Sequence, residues 1–300
     1  MKKYSKISIV GLSLIIVGFV ACGPDTRLDM IGMISGTSPT IDKRVEESFK
    51  YNEQKGFVTL QAHAEEYHVY VCTDTHITDS RNRWEYFINT YRADELCPVA
   101  LHLGDIIDAQ TDFEYVQEAL TLHRENSHNP QKHDTLMAVI GNHDIYFKQW
   151  PKYIAAFKTS TYYFIVQTPS GARDLYIITD SADGTIGRKQ LKWLTETLQW
   201  ADTQNFRHII AASHTHFFKR DNSQTPSSNY NMEEAYTLLN LFASHGVEML
   251  WSGHDHHREI TEVKTLTSVV LDSMKDNDEH PFYMLVKMGE KIAYDFVAVP

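Results

Sequence analysis

The chain has 300 residues, a formal net charge of −11 at neutral pH and 42% hydrophobic residues. This length and apolar content suffice for one large α/β domain with its own core. The acidic balance and the lack of a basic run exclude an evident nucleic-acid-binding surface, because such a chain repels phosphates.

The N-terminus has the pattern of an export signal. Lysines within the first six residues precede an apolar run from Ile7 to Ala21, which is shorter than the ~20 residues of a comfortable membrane span. The sequence Phe19-Val20-Ala21-Cys22 resembles a bacterial lipobox, with Phe19 where that pattern prefers Leu. The resemblance implies cleavage before Cys22, its acylation, and a membrane-anchored lipoprotein of the bacterial cell envelope. An ordinary signal peptide with an incidental cysteine and an uncleaved anchor are the alternatives.

Three segments follow from the composition of the chain. We expect a lipoprotein signal peptide over residues 1–21, a tether with an N-terminal helix over 22–64, and the catalytic domain over 65–300. Thr40 precedes apolar residues at helical spacing, which predicts a short helix that packs on the domain with Thr40 as its cap.

Cys72 and Cys97 are the cysteines that remain if Cys22 is acylated. An oxidising compartment favours a disulfide between them. However, Cys72 lies two residues before Asp74 and Cys97 lies eight before Asp105, so the pair is out of step by roughly 20 Å along neighbouring strands. A disulfide needs Cα atoms within about 7 Å. We therefore expect both thiols to be free.

Five apolar runs of strand length each end in carboxylate, imidazole or carboxamide side chains. The runs cover residues 67–71, 99–103, 136–140, 208–212 and 247–251. The polar residues after them are Asp74 and His76, Asp105, Asn142 and His143, His214, and His254 and His256. These groups suit divalent first-row metals, and ligands bind at the carboxyl ends of strands in open α/β sheets. The pattern predicts one site built from five strand ends, with the two-residue spacing of Asp74 and His76 placing both on one face of extended backbone.

Further elements follow from periodicity and turn signals. Helices are predicted over residues 82–95, 111–122, 149–157, 188–200 and 231–245. A hairpin is predicted from residues 161–168 and 174–179. Four C-terminal runs, at residues 258–263, 266–271, 282–288 and 292–299, are expected to form a second sheet.

The polar motifs, in their order, resemble those of the calcineurin-like metallophosphoesterase family over residues 67 to 257. The matching motifs are Asp74-Thr75-His76, Gly104-Asp105-Ile106-Ile107-Asp108, Gly141-Asn142-His143-Asp144, His214, and Gly253-His254-Asp255-His256. The resemblance implies an α/β fold, a four-layer α/β/β/α sandwich of two mixed β-sheets flanked by helices. It departs from the purple acid phosphatases, because Asp108 stands where they have a tyrosine ligand.

The resemblance also implies a binuclear-metal-dependent hydrolase of phosphate esters. One metal would be held by Asp74, His76, Asp105 and His256, and the other by Asp105, Asn142, His214 and His254. The metals, two ions of Mn, Fe or Zn, would lower the pKa of a bridging water for in-line attack at phosphorus. His143 would assist the leaving group, with Asp108 and Asp144 supporting the ligands.

Several alternatives stay open at this level. His216 competes with His214 for one ligand position, Arg81 or Arg83 could meet a substrate phosphate or be solvated, and His102 is favoured as a packed strand residue. The sequence does not distinguish phosphomonoesters from phosphodiesters. Two rival functions are a non-catalytic protein-binding scaffold of the same fold and a structural lipoprotein with incidental histidines. The presence of His143 with every ligand argues against the scaffold, because scaffolds of this fold tend to lose that histidine.

Overall fold

The computed structural model describes residues 39–78, 81–108, 113, 116, 135–218 and 230–300. The expected signal peptide, Cys22 and most of the tether lie outside these residues, as does most of the helix expected over 111–122. In the described part of the chain, no helix combines the length and the apolar character needed to cross a membrane.

The described residues form helices and strands that alternate along much of the chain. The strands are β1 (Val58–Gln61), β2 (Tyr67–Cys72), β3 (Val99–His102), β4 (Leu136–Ala138), β5 (Tyr162–Gln167), β6 (Arg173–Ile178), β7 (His208–Ala212), β8 (Met249–Ser252), β9 (Glu259–Val263), β10 (Leu266–Val270), β11 (Phe282–Met288) and β12 (Ile292–Ala298). The α-helices are α1 (Ile41–Lys55), α2 (Asn82–Ala93), α3 (Trp150–Phe157), α4 (Gly187–Asp202) and α5 (Met232–Ser244). A short 3-10 helix covers His143–Lys148.

The strands belong to two mixed sheets. The larger has the order β1-β5-β6-β7-β8-β10-β9 and the smaller has the order β12-β11-β2-β3-β4. In the smaller sheet β2, β3 and β4 are parallel neighbours. In the larger sheet β6, β7, β8 and β10 are parallel neighbours. The polar motifs follow the carboxyl ends of five of these parallel strands, β2, β3, β4, β7 and β8.

Alternating side chains of each sheet build three apolar layers. Val69 and Val71 of β2 pack between the sheets, together with Trp251 of β8. The intervening Tyr70 and Cys72 face the layer that contains α2 and α3. On the outer face of the larger sheet, residues of β6, β7 and β8 pack against α4 and α5. Burial on both faces explains the continuous apolar runs, and the expected arrangement of two mixed sheets flanked by helices is confirmed.

The assignment of the C-terminal strands to one second sheet is wrong. β9 and β10 form a hairpin whose second strand pairs parallel with β8 in the larger sheet. β11 pairs instead with β2, and β12 with β11, in the smaller sheet. β10 is buried on both faces, since Leu266 packs in the layer of α5 and Val269 between the sheets. The apolar pattern therefore indicates an interior strand but does not specify which of the two sheets it joins.

The chain before β2 adds one helix, α1, and one strand, β1, to the sandwich. α1 lies where a short helix is expected, but the Thr40 side chain makes no capping hydrogen bond. The helix packs against α4 and β5, and its buried Arg44 forms an ion pair with Asp180. Nothing in the sequence pattern predicts β1, which is short, has a single buried residue, Leu60, and pairs parallel with β5 at the edge of the larger sheet.

Cys72 and Cys97 are both buried, and no disulfide joins them. Cys72 pairs in register with His102, whereas Cys97 lies two residues before Val99, which pairs with Val69 at the other end of β2. The expected mismatch in register therefore keeps the thiols apart.

Candidate metal centre

Five loops meet at one edge of the sandwich. Three follow β2, β3 and β4 of the smaller sheet, and two follow β7 and β8 of the larger sheet. Backbone hydrogen bonds join the loops directly: the N–H of Asp74 donates to the Gly104 carbonyl at 3.0 Å, and the N–H of Gly253 donates to the His214 carbonyl at 3.0 Å. The five polar motifs of the sequence are thus brought into one region.

The backbone at this site is left-handed rather than extended. Positive φ angles occur at Asp74 (51°), His76 (41°), Asp105 (53°), His254 (74°) and His256 (51°). The expectation that the two-residue spacing points side chains to one face of extended backbone is therefore wrong. Such angles are unfavourable for residues with a Cβ and are typical of strained functional sites.

Two glycines allow the loops to approach closely. Gly104 has φ +102°, and an added Cβ there would lie 2.6 Å from His214 Nδ1. An added Cβ at Gly253 would overlap Thr73 Oγ1 and lie 2.5 Å from Asp74 Oδ2. Both glycines are therefore required by the packing of the ligand-bearing loops.

The first cluster contains Asp74, His76 and His256. The Nε2 atoms of His76 and His256 lie 3.1 Å apart. Asp74 Oδ1 lies 3.3 Å from Nε2 of His256 and 3.7 Å from Nε2 of His76. The three ligand atoms are close enough together to hold one metal ion.

The second cluster contains Asn142, His214 and His254. His214 Nε2 lies 3.1 Å from Asn142 Oδ1 and 3.2 Å from His254 Nδ1. His214 Nδ1 lies 2.8 Å from the carbonyl oxygen of Leu103. Nε2 is therefore the ring nitrogen that faces the other two ligand atoms. Burial lowers the pKa of His214, but the Asp105 carboxylate raises it to about 9 overall, so a metal bound at Nε2 would displace a proton.

Asp105 lies between the clusters. Its Oδ2 is 3.8 Å from His76 Nε2 in the first cluster and 3.4 Å from His214 Nε2 in the second. Its Oδ1 accepts the backbone N–H of His143 at 2.8 Å. A carboxylate oxygen within reach of both clusters is suited to bridge two cations.

The donor set fits two metal ions. Asp74 Oδ1, a ligand atom of the first cluster, is buried and has no hydrogen-bond partner among the described residues. Burial raises the pKa values of Asp74 and Asp105, yet the histidines around them bring both below the ordinary value, so both are carboxylates. Burial lowers the pKa of His254 to about 4 and keeps this imidazole neutral, as a metal ligand must be. Carboxylate, imidazole and carboxamide donors suit Mn, Fe or Zn.

His143 stands beside the first cluster at the opening of the site. Its ring packs edge-on against that of His76, with centroids 4.5 Å apart. Its Nδ1 is buried and lies 3.6 Å from Asp108 Oδ1, while 30% of its side chain is exposed. Burial lowers the pKa of His143, and the carboxylates of Asp105 and Asp108 oppose that effect. The exposed part of the ring is available to a bound molecule.

The Asp144 carboxylate holds the loop after β3 through backbone hydrogen bonds. Its carboxylate accepts backbone N–H groups of Asp105, Ile106, Ile107 and Gly141 at 3.0, 2.9, 3.3 and 2.9 Å. Burial and the Asp105 carboxylate raise the pKa of Asp144 to about 7, and the N–H donors act in the opposite direction. Asp144 is therefore a buried support for the loop and contributes no atom to the clusters.

Four residues that the sequence left open are now placed. His216 is buried outside both clusters, with Nδ1 3.5 Å from Asp255 Oδ2, so His214 takes the cluster position. His102 is a packed residue whose Nε2 lies 2.9 Å from Thr75 Oγ1. The Arg83 guanidinium donates to the carbonyls of Lys275 and Asp278, and Arg81 pairs with Glu85. These observations assign neither arginine to the clusters.

Two residues with roles at the site were missed from the sequence. Thr73 Oγ1 donates to Asp74 Oδ2 at 2.6 Å, and the Tyr146 hydroxyl accepts from Asn142 Nδ2 at 3.0 Å. Thr73 directly precedes a motif, but its type is common at strand ends. Tyr146 is placed by an irregular turn that no sequence pattern indicates.

Comparisons with known proteins relate the chain to one family. The profile of the calcineurin-like phosphoesterases matches residues 67–258, which is more than half of the chain. No protein of the curated set matches the sequence significantly.

Similar solved structures share the fold at low sequence identity. A dimetal phosphatase from Danio rerio is 14% identical, with a TM-score of 0.55 over 77% of this chain and 95% of that chain. GAP50, described as the anchor in the inner membrane complex of Plasmodium, is 15% identical, with a TM-score of 0.55 over 78% of this chain and 84% of its own. The purple acid phosphatase PPD1 from yellow lupin seeds is 12% identical, with a TM-score of 0.53 over 78% and 52%. At these identities the likeness concerns the fold alone.

Proposed function

Because the chain belongs to the calcineurin-like phosphoesterase family, we propose that its two clusters hold two metal ions and that His143 assists the leaving group during hydrolysis of phosphate esters. The observation that carries the proposal is the position of Asp105, whose Oδ2 lies within 4 Å of an imidazole nitrogen of each cluster. When bound, the metals supply an activated water and positive charge for the phosphoryl group.

Two further roles belong to residues of the chain: binding the cations and transferring a proton. Asp74 and Asp105 provide buried negative charge that retains cations. The backbone N–H of His143 donates to Asp105 Oδ1, and the Asp108 carboxylate lies 3.6 Å from His143 Nδ1. The Asp108 carboxylate near Nδ1 favours the doubly protonated ring. The second N–H of that ring, at Nε2, can donate to the leaving-group oxygen or stabilise its charge. The negative substrate is attracted by the cations despite the acidic chain.

The test combines a substrate panel with one substitution. Protein loaded with Mn²⁺ is assayed on aryl monoesters, aryl diesters, nucleotides and lipid phosphates. His143→Ala should lose about 10²–10⁴ of the rate on poor leaving groups, which corresponds to roughly 3–5 kcal/mol. The loss should shrink for nitrophenol, which leaves without protonation. Metal content, measured by elemental analysis, should stay close to that of the parent protein.

A matched control is the exposed His257, which adjoins His256 but belongs to neither cluster. His257→Ala should change neither rate nor metal content. Loss of metal in His143→Ala would identify His143 as a ligand instead. Equal rates on poor leaving groups would refute its role in the reaction. Parent protein that holds two metals yet turns over no ester of the panel would favour the scaffold function.

A further inference from the structure

The carboxamide of Asn142 is held at both ends. Its Oδ1 lies 3.1 Å from His214 Nε2 in the second cluster. Its Nδ2 donates to the hydroxyl of Tyr146 at 3.0 Å. The amide oxygen thus points to the ligand atoms of the cluster, and the amide nitrogen points away from them to a defined acceptor.

An irregular turn brings Tyr146 to this position. Tyr146 lies four residues after Asn142, but its φ and ψ of −59° and 157° break the 3-10 helix. Phe147 and Lys148 follow in left-handed conformation, with φ of 49° and 65°. The half-buried Tyr146 ring lies beside that of His143, with centroids 5.1 Å apart. Strain of this kind is concentrated near functional sites.

From this arrangement we infer that Tyr146 is a positioning residue: its hydroxyl holds the Asn142 carboxamide with the oxygen toward the second cluster and thereby sets the affinity of that cluster for its metal. The inference rests on the proposed function, since it assumes that the clusters bind metal. An amide has two ends of nearly equal shape, and only the oxygen can bind a cation. When it does so, the nitrogen requires an acceptor on the other side, because a buried donor without one is costly.

Loss of the Tyr146 hydroxyl should weaken the binding of only one of the two metals. Asn142 belongs to the second cluster, and the first cluster consists of Asp74, His76 and His256 with the shared Asp105. Partners behind metal ligands typically alter metal affinity by about 10- to 100-fold. Tyr146→Phe should weaken one of two binding events by that factor and leave the other unchanged, because the ring beside His143 is kept.

The experiment is a Mn²⁺ titration of metal-free full-length protein, followed by calorimetry and by competition with a chelator. Asn142→Ala identifies the event that belongs to the second cluster. In the double variant N142A/Y146F the Tyr146 substitution should have no further effect, since the hydroxyl acts through Asn142. Tyr236→Phe, a substitution of an exposed tyrosine on α5, should match the parent protein. Tyr146→Leu serves as a second hydroxyl-free variant if Tyr146→Phe melts early without metal.

The outcomes separate the inference from the function on which it rests. Parent protein that binds no Mn²⁺ would contradict the proposed function. Two unchanged affinities in Tyr146→Phe, with normal binding in the parent, would overturn the inference alone. An increase in KM with unchanged metal affinities would also overturn it, because Tyr146 would then contact the substrate. A further loss of metal in the double variant relative to N142A would show that Tyr146 does not act through Asn142.

Discussion

Asp144 Oδ2 accepts the backbone N–H of Asp105 at 3.0 Å. The last residue of the Gly141-Asn142-His143-Asp144 motif thus holds the residue shared by both clusters. The same carboxylate accepts three further backbone N–H groups, from the loop after β3 and from Gly141. It therefore ties the loops that follow β3 and β4 to each other. The position of Asp105 therefore depends on a buried side chain that contributes no ligand atom to either cluster.

Asp144→Ala should destabilise the protein and loosen both clusters together. The substitution leaves four backbone donors without their acceptor, and each unsatisfied buried group costs on the order of 1–3 kcal/mol. Relief of repulsion from Asp105 offsets part of this, so we expect a loss of roughly 2–4 kcal/mol in urea unfolding of metal-free protein. Asp108→Ala, which removes a 40% exposed carboxylate from the same loop, is the control and should have little effect on stability. Equal stability of the two variants would contradict the supporting role.

Asp105→Asn tests the bridge directly. The carboxamide keeps the shape of the side chain but removes the negative charge that faces both clusters. Because this charge is shared, occupancy of both metals should fall, and the rate should fall with it. Elemental analysis after dialysis against dilute chelator provides the measurement. Asp74→Asn is the matched comparison, since Asp74 faces the first cluster alone. Loss of only one metal in Asp105→Asn would show that Asp105 does not bridge.

Much of the architecture could be predicted because burial on both faces leaves a clear signal. β2, β3, β7 and β8 are continuous apolar runs, and each ends close to the residue where the polar motif begins. The clusters combine the residues that the family resemblance groups together. The sequence favours His214 over His216 because His214 comes first after β7, and the structure places His214 in the second cluster.

The remaining features depend on long-range packing or irregular backbone. Leu266 and Val269 indicate a strand buried on both faces, but a single sequence does not specify which sheet β10 joins. The left-handed backbone at His76 and Asp105 has no local sequence signal. Tyr146 contacts Asn142 from an irregular turn in which Tyr146 is extended and Phe147 and Lys148 are left-handed. The periodicity of apolar residues predicts helices and strands, but it does not predict contacts made by irregular turns.

Arg44 of α1 forms a buried ion pair with Asp180, which follows β6. Its guanidinium donates to both carboxylate oxygens of Asp180 at 2.9 and 2.8 Å, and both side chains are fully buried. Arg44→Ala should cost about 3–5 kcal/mol, because it leaves an uncompensated buried charge. Urea unfolding measures the loss.

The control for Arg44 is the exposed ion pair between Lys189 on α4 and Glu46 on α1. Lys189→Ala should leave the free energy of unfolding unchanged, because exposed pairs contribute little. Similar losses in Lys189→Ala and Arg44→Ala would show that α1 is held by its general packing rather than by the buried pair.

We propose that the protein is exported and anchored in the bacterial membrane through Cys22. The apolar run from Ile7 to Ala21 and the cysteine after it motivate this proposal. Cys22→Ser should abolish labelling by a radioactive fatty acid and leave the precursor uncleaved by the lipoprotein peptidase. Cys97→Ser serves as the control for loss of a thiol and should be labelled as the parent is. Continued lipid labelling of Cys22→Ser would disprove the anchor.

His208 is expected to stabilise the fold in a pH-dependent way. Its Nδ1 lies 2.9 Å from Glu248 Oε1, and its Nε2 lies 2.9 Å from the Gly289 carbonyl oxygen. Both partners are acceptors, and only the imidazolium can donate to both. Burial lowers the pKa of His208, but the Glu248 carboxylate and the Gly289 carbonyl raise it above the ordinary value overall.

Because the pKa of His208 is raised in the folded protein, the pH dependence of its contribution to stability has a definite sign. A histidine whose pKa is higher in the folded than in the unfolded protein stabilises the fold fully below the unfolded value of about 6.5. The contribution is lost as the pH rises through the folded pKa. His208→Gln should therefore cost about 1–2 kcal/mol at pH 6, a low value for a charged hydrogen bond because the Glu248 side chain is 45% exposed. The cost should be smaller at pH 9.

The measurement is urea unfolding of metal-free protein at both pH values, taken as the difference between parent and variant so that other titrating groups cancel. Glu248→Gln should also destabilise the protein more at pH 6 than at pH 9, but by less than His208→Gln, since it removes the charge but keeps an acceptor. His63→Gln, at an exposed position, gives the effect of substituting a histidine on the surface. A cost of His208→Gln that is equal at pH 6 and pH 9 would mean that the imidazole stabilises the fold in its neutral form. A cost that increases with pH would contradict the arrangement of two acceptors around a protonated ring.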